Sequence, residues 1–132
     1  MPAMLYAFVL AIGPSPAAPA AAISASDRNA ILNVLRTPVE QRLGKPVVFV
    51  VTALRGERGW AFVQAEPQRP GGRAIDGSSY FREEWEFMDG LTTTAILRKQ
   101  NGRWRIRAMK IGALDAWYCG YLPPRQFDPC KP

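Results

Sequence analysis

Asp76, Asp89, Asp115 and Tyr118 are the least unreasonable acid–base constellation in a sequence that has no histidine among its 132 residues and would have to rest catalysis on carboxylates, Tyr, Lys or Arg. Histidine is the group that most often exchanges protons near neutral pH, so Ser-His-Asp and Cys-His nucleophilic arrangements are excluded. The constellation is carboxylate-based, with Asp89 after an aromatic segment, Asp76 or Asp115 facing it across a concave surface, and Tyr118 nearby. Two of these aspartates precede glycine, in Asp76-Gly77 and Asp89-Gly90. There Asp is ordinarily a turn residue whose carboxylate bonds its own backbone two positions on. Asp115, within Leu114-Asp-Ala-Trp117, suits a short helix cap or an arginine partner. No catalytic residue is assigned, and the pattern argues against an enzyme.

The two cysteines, Cys119 and Cys130, lie in a proline-rich tail that no helix or strand of its own would hold. Closing that separation by a disulfide stabilises by about 3 kcal/mol on the loop-entropy model, and an oxidising compartment favours it. Two free buried thiols are the alternative reading. A metal site is not expected, because two thiols without histidine do not complete a tetrahedral zinc shell. No cofactor is implied: Gly71-Gly72 and Gly77 lack the strand-to-helix context of a phosphate-cradling loop.

Arginine is the other chemical resource. Gln100-Asn101-Gly102 separates two alternating runs, Leu91-Thr-Thr-Thr-Ala-Ile-Leu97 and Arg103-Trp-Arg-Ile-Arg-Ala108. Asn-Gly there is a strong hairpin signal, because a type I′ turn needs positive φ at both central residues. With that turn, Leu97 faces Ile106 and Ala95 faces Ala108 on the core side, and Trp104 points inward. The other side places Arg98 opposite Arg105 and Gln100 opposite Arg103, with Arg107 further along. Like charges directly opposite destabilise a sheet, so something acidic should cover them. Tyr80-Phe-Arg-Glu-Glu-Trp-Glu-Phe87 reads as a neighbouring strand, at 82–88, whose Glu84 and Glu86 would lie across the arginines. The competing reading leaves Arg98, Arg103, Arg105 and Arg107 as an exposed strip for an anionic partner, with Arg69 and Arg73 of a protruding loop as further anchors.

These residues need a scaffold, and the rest of the sequence supplies one. Ser26-Asp27-Arg28-Asn29 offers caps before Ala30, Ile31, Val34 and Leu35, predicting a helix from Asp27 to Arg36. Thr37-Pro38-Val39-Glu40 has the form of a capping box with proline at N1, predicting a second short helix or a kink at Pro38, ended by Gly44. Val47-Val-Phe-Val-Val-Thr-Ala-Leu54 and Trp60-Ala-Phe-Val-Gln-Ala-Glu66 flank Gly56-Glu57-Arg58-Gly59 as an antiparallel hairpin. Pro67 to Ser79, with two prolines and three glycines, is read as an irregular loop, a candidate for movement or binding. The fold class is therefore α+β: an amino-terminal helix, kinked or split at Pro38, packed on a curved antiparallel sheet of four to five strands, with a disulfide-closed tail. The length suits one domain.

Ahead of this domain, Met4-Leu-Tyr-Ala-Phe-Val-Leu-Ala-Ile12 is an apolar run of nine residues, followed by Gly13-Pro-Ser-Pro16 and alanines. It is too short to span a bilayer, which takes about twenty residues. Its order is that of a secretion signal, with Ala20-Ala21-Ala22 or Ser24-Ala25 as sites for a peptidase that reads small side chains. No Lys or Arg precedes the run. The organisation expected is a signal peptide at 1–25 and a single α+β domain at 26–132, periplasmic or secreted, with no transmembrane segment in the mature chain. The net charge of +6 and pI near 9.8 belong wholly to that domain. Nucleic acid is the usual inference from such a balance. Export argues instead for a protein or another anionic envelope component.

The order helix, helix, hairpin, loop and three-strand meander over residues 27–112 resembles the cystatin-like and nuclear-transport-factor-2-like class of small exported bacterial proteins. Gly59-Trp60-Ala61-Phe62 at a strand start and Asn101-Gly102-Arg103-Trp104-Arg105-Ile106 as a late hairpin add to it. The resemblance implies a curved sheet wrapping an amino-terminal helix. It implies no activity, since that class includes enzymes, dimerisation modules and inhibitors. The function expected is a non-enzymatic interaction module contacting another envelope or secreted protein, an inhibitor or immunity-type protein being one concrete form. The alternative is a small-ligand binder or enzyme using a cavity between helix and sheet, which would hold an unpaired carboxylate.

Overall fold

Ser24, in extended conformation, caps the first helix: its Oγ accepts a hydrogen bond from the Asp27 amide at 3.0 Å. The computed structural model describes residues 23–131; residues 1–22 of the expected signal peptide lie outside them. Helix α1 spans Ala25–Leu43, and its buried stripe is Ile31, Leu35, Val39 and Leu43, one residue every fourth position. The expected break at Pro38 is absent; α1 runs through it as one helix. Proline removes one intrahelical hydrogen bond and crowds the preceding turn. Here the stripe keeps its phase on both sides of Pro38, so packing four large apolar side chains outweighs that local cost. The first cap is Ser24 rather than Ser26, and Asp27 lies in the first turn, where an acidic side chain is favourable.

Strands β1 (Val48–Glu57), β2 (Trp60–Gln68), β3 (Thr93–Gln100) and β4 (Arg103–Ile111) form one antiparallel sheet in the order β1-β2-β3-β4. Both tight turns have the positive φ pair of a type I′ hairpin: Arg58 and Gly59 at 53° and 79°, Asn101 and Gly102 at 52° and 75°. The register follows the expectation at Gln100↔Arg103, Arg98↔Arg105 and Leu97↔Ile106. A bulge beyond Leu97 then shifts it, so Ala95 faces Met109, not Ala108.

One sheet face, carrying Ala61, Val63, Ala65, Ala95, Leu97 and Trp104, packs with the α1 stripe in the main core. Val47 ties the helix to β1: its amide donates to Glu40 Oε2 and its carbonyl accepts from Arg36 Nε, both at 3.1 Å. The opposite face carries Trp60, Phe62 and Ile96, the residues alternating with the first set. The tail covers this face, burying Phe127 against them and packing Trp117, Tyr118 and Leu122 alongside.

The predicted strand at 82–88 does not exist. Gly77–Phe81 is a short helix, α2, and Arg82–Phe87 a 3₁₀ turn. Phe81, Trp85 and Met88, all packed in or against the main core, recur at helical spacing within the apparent alternation of Glu and aromatics. Phe87, which that alternation would bury, is 74% exposed. Trp85 lies so close over Gly77 that a Cβ there would stand 2.2 Å from the indole, which couples the turn to α2. The segment 67–79 is also more regular than expected. Pro67 and Gln68 finish β2, Pro70–Gly72 is a 3₁₀ turn inside an Arg69↔Arg73 bridge, and Asp76 caps α2.

Candidate anion-binding face

The arginine strip is built by β3 and β4 on the tail-covered side of the sheet. Arg98 and Arg105 stand directly opposite one another, Arg103 is two pairs nearer the turn, opposite Gln100, and Arg107 falls at the bulge. Alternate residues on a regular strand are about 7 Å apart, which spaces Arg103 from Arg105; Arg107, at the bulge, joins them on this side over Trp60. All three are exposed and Arg98 is half-buried. Trp60 lies beneath two of them, with the guanidinium carbon of Arg98 at 4.6 Å and that of Arg107 at 5.7 Å from its ring centroid. The negative face of the indole offsets part of the mutual repulsion.

The bulge enlarges the strip. By simple alternation Lys110 would face away from Arg105, but the extra residue resets the phase. Lys110 pairs with Thr94, two positions from Ile96 on the tail side, and its Nζ lies 5.5 Å from the Trp117 ring centroid. Sequence reasoning missed this residue because nothing local announces a bulge.

Among the described residues no carboxylate forms an ion pair with the row. Glu84 and Glu86 are exposed residues of the 3₁₀ turn, and the ion pairs among the described residues are Arg58–Glu57 and Lys99–Asp27. The expected ladder of Glu84 and Glu86 over the arginines is therefore corrected: the segment that carries them is not a strand of this sheet.

Arg69 and Arg73 do not join the strip; they lie at the far end of β2 from Trp60. Arg69 is committed to the fold, donating to the carbonyls of Leu43 (2.6 Å), Gly44 (2.9 Å) and Pro46 (3.2 Å) and to the Tyr80 hydroxyl (2.8 Å). It thereby satisfies carbonyls at the end of α1 that have no helical partner. Arg73 is exposed.

The tail is fastened beside the strip. Cys119 and Cys130 are disulfide-bonded, Arg55 donates to the carbonyls of Pro129 and Lys131, Trp117 Nε1 donates to Thr94 Oγ1 at 2.8 Å, and Tyr118 packs on Phe62 at 4.4 Å between centroids. Trp117 and Tyr118 thus serve as packing for the tail.

Asp89, Asp115 and Tyr118 do come together, around an open hollow of about 210 Å³ that Gln64, Thr92 and Thr94 also line. It lies on the tail side of the sheet, not between helix and sheet. Asp115 caps no helix. Asp76 is elsewhere, its carboxylate accepting from Ser78 N, Ser78 Oγ and Ser79 Oγ; the serine hydroxyls are the main cause of a lowered pKa. Core side chains fill most of the space between α1 and the sheet, but an open hollow of about 310 Å³ at the β4 edge is lined by Arg42 of α1, Phe81, Met88, Met109 and Ile111, with Glu84, which has no ion-pair partner among the described residues, on its wall. A hollow of about 300 Å³ does open at the β1–β2 hairpin end, lined by Asp27, Lys99, Trp60 and Trp104 among others. Its Asp27 is paired, accepting from Lys99 Nζ at 2.9 Å and Trp104 Nε1 at 3.0 Å. The Lys99 hydrogen bond, with that of Trp104, holds its carboxyl below the usual range. The unpaired carboxylate expected of a ligand cavity is not provided there.

The fold and the basic face therefore define an α+β domain with a four-stranded antiparallel sheet. Family models, curated proteins and solved structures give no match to the chain.

Proposed function

We propose that this protein is an exported, non-enzymatic interaction module whose basic sheet face contacts an acidic surface of another envelope or secreted protein, in the manner of an inhibitor or immunity-type protein. The observation that carries this reading is the row Arg98, Arg103, Arg105 and Arg107, aligned on one face without a carboxylate partner among the described residues. Planar guanidinium groups favour bidentate contact with carboxylates. Their placement on paired strands beside a disulfide-held tail limits the ordering cost of binding. The disulfide is compatible with an extracytoplasmic setting, and among the described residues no helix is long and apolar enough to cross a membrane.

The test is co-purification of the oxidised protein from envelope extract, beside the variant Arg103→Gln/Arg105→Gln/Arg107→Gln. A stoichiometric partner retained by the parent and lost by the variant supports the reading. No partner for either, with both folded, sinks it. The hollow bounded by Asp89, Asp115 and Tyr118 favours a second reading, a small-ligand site on the same side of the sheet. Small-ligand screening monitored at the Tyr118 and Gln64 resonances tests that reading.

A further inference from the structure

We propose that the export peptidase cuts this chain between Ala22 and Ile23, so that the mature protein begins at Ile23 rather than at Ser26. The inference rests on reading the first twenty-two residues as an export signal, and two independent observations favour this bond over the one before Ser26.

The first is the chemistry of the cut. A peptidase of this kind takes small side chains at the first and third positions before the scissile bond. Ala22 and Ala20 fill those positions for a cut before Ile23. A cut before Ser26 would put Ile23, large and β-branched, in the third.

The second is what the folded domain uses. Ile23 is partly buried and packs against the main core. A Cβ on Gly56 of β1 would stand 2.7 Å from Ile23 Cγ1 and Cδ1. Gly56 is not among the residues with positive φ, so its backbone does not require glycine; the room left by the missing side chain is taken up by Ile23. Ser24 provides the cap of α1, and its carbonyl accepts from the Arg28 amide at 2.8 Å. The turn so fixed presents Asp27 to Lys99 and Trp104. A cut before Ser26 would delete the apolar contact, the cap and an accepting carbonyl together. A cut before Ile23 keeps all three.

The experiment expresses the whole chain in an export-competent bacterium and determines the intact mass and amino-terminal sequence of the oxidised product outside the cytoplasm. An amino terminus at Ile23 is expected; any other, Ser26 included, overturns the inference while leaving export intact. A chain that keeps residues 1–22 and stays in the cytoplasm overturns the export reading and this inference with it. Ala22→Leu gives a second arm, because it changes no residue of the described domain. Accumulation of uncut chain is expected, whereas normal yield of a product beginning at Ser26 shows that Ala22 is not what the peptidase reads.

Discussion

Arg98 lies over the indole of Trp60, its guanidinium carbon 4.6 Å from the ring centroid, while facing Arg105 across the hairpin. Two effects of similar size oppose each other here. A cation–π contact at an exposed site contributes about 0.5–1 kcal/mol, and a directly opposed like-charge pair costs several tenths. Arg98→Gln should therefore destabilise by less than about 1 kcal/mol, and Arg105→Gln should be neutral or stabilise by a few tenths. Urea denaturation at low and at physiological salt measures both, and the gain from Arg105→Gln should shrink as salt screens the pair. A large loss from Arg105→Gln would mean that this side chain has a structural partner.

Asp27 makes stability depend on acid. Its carboxyl is held below 3.8 in the folded protein, chiefly by the Lys99 and Trp104 hydrogen bonds. A lowered folded pKa gives stability that is present above the unfolded value and lost as pH falls through the folded one. Asp27→Asn should melt below the parent at pH 7, by an amount equivalent to about 1 kcal/mol for a pair that remains partly solvated. The gap should narrow as pH falls below the unfolded value and close once pH is below the lowered folded one. A gap of equal size at pH 7 and below the folded value would assign the loss to packing instead of charge.

Reducing Cys119–Cys130 should release the tail before the rest unfolds. The separation of 11 residues corresponds to about 3 kcal/mol of chain entropy, and the tail's main apolar anchor is Phe127. The α1-facing core does not use the tail. Tryptophan emission should shift to the red on reduction as Trp60 and Trp117 meet water, with far-ultraviolet dichroism largely kept. Unchanged emission would show that Phe127 and the Arg55 hydrogen bonds hold the tail unaided.

Arg69 and the strip should separate experimentally. Arg69→Met keeps an apolar stem but leaves the carbonyls of Leu43, Gly44 and Pro46 without that donor, costing roughly 2 kcal/mol. Partner capture should be unchanged after correction for folded protein. The triple Arg103, Arg105 and Arg107 variant should do the reverse, keeping its melting temperature and losing capture. Loss of capture by Arg69→Met at full folding would place the contact at the far end of β2.

The sequence by itself determined whatever follows from neighbouring residues. Ala30, Ile31, Val34 and Leu35, recurring at helical spacing, called for a helix. Asn101-Gly102 fixed its turn and with it the opposition of Arg98 to Arg105, since a two-residue hairpin leaves no freedom of register next to the turn. Only the tertiary structure decided what requires distant surfaces to meet. Pro38 stays inside a helix because the sheet gives both halves of the stripe one surface to bury against. The segment 82–87 turns because Trp85 packs on Gly77, which a local alternation of Glu and aromatics does not reveal. Arg107 and Lys110 share a face through a bulge whose position depends on both strands. Whether the arginines would be covered turned on which segment docks against the second sheet face; Phe127, a residue distant in sequence, brought the tail there and left the arginines without an ion-pair partner among the described residues.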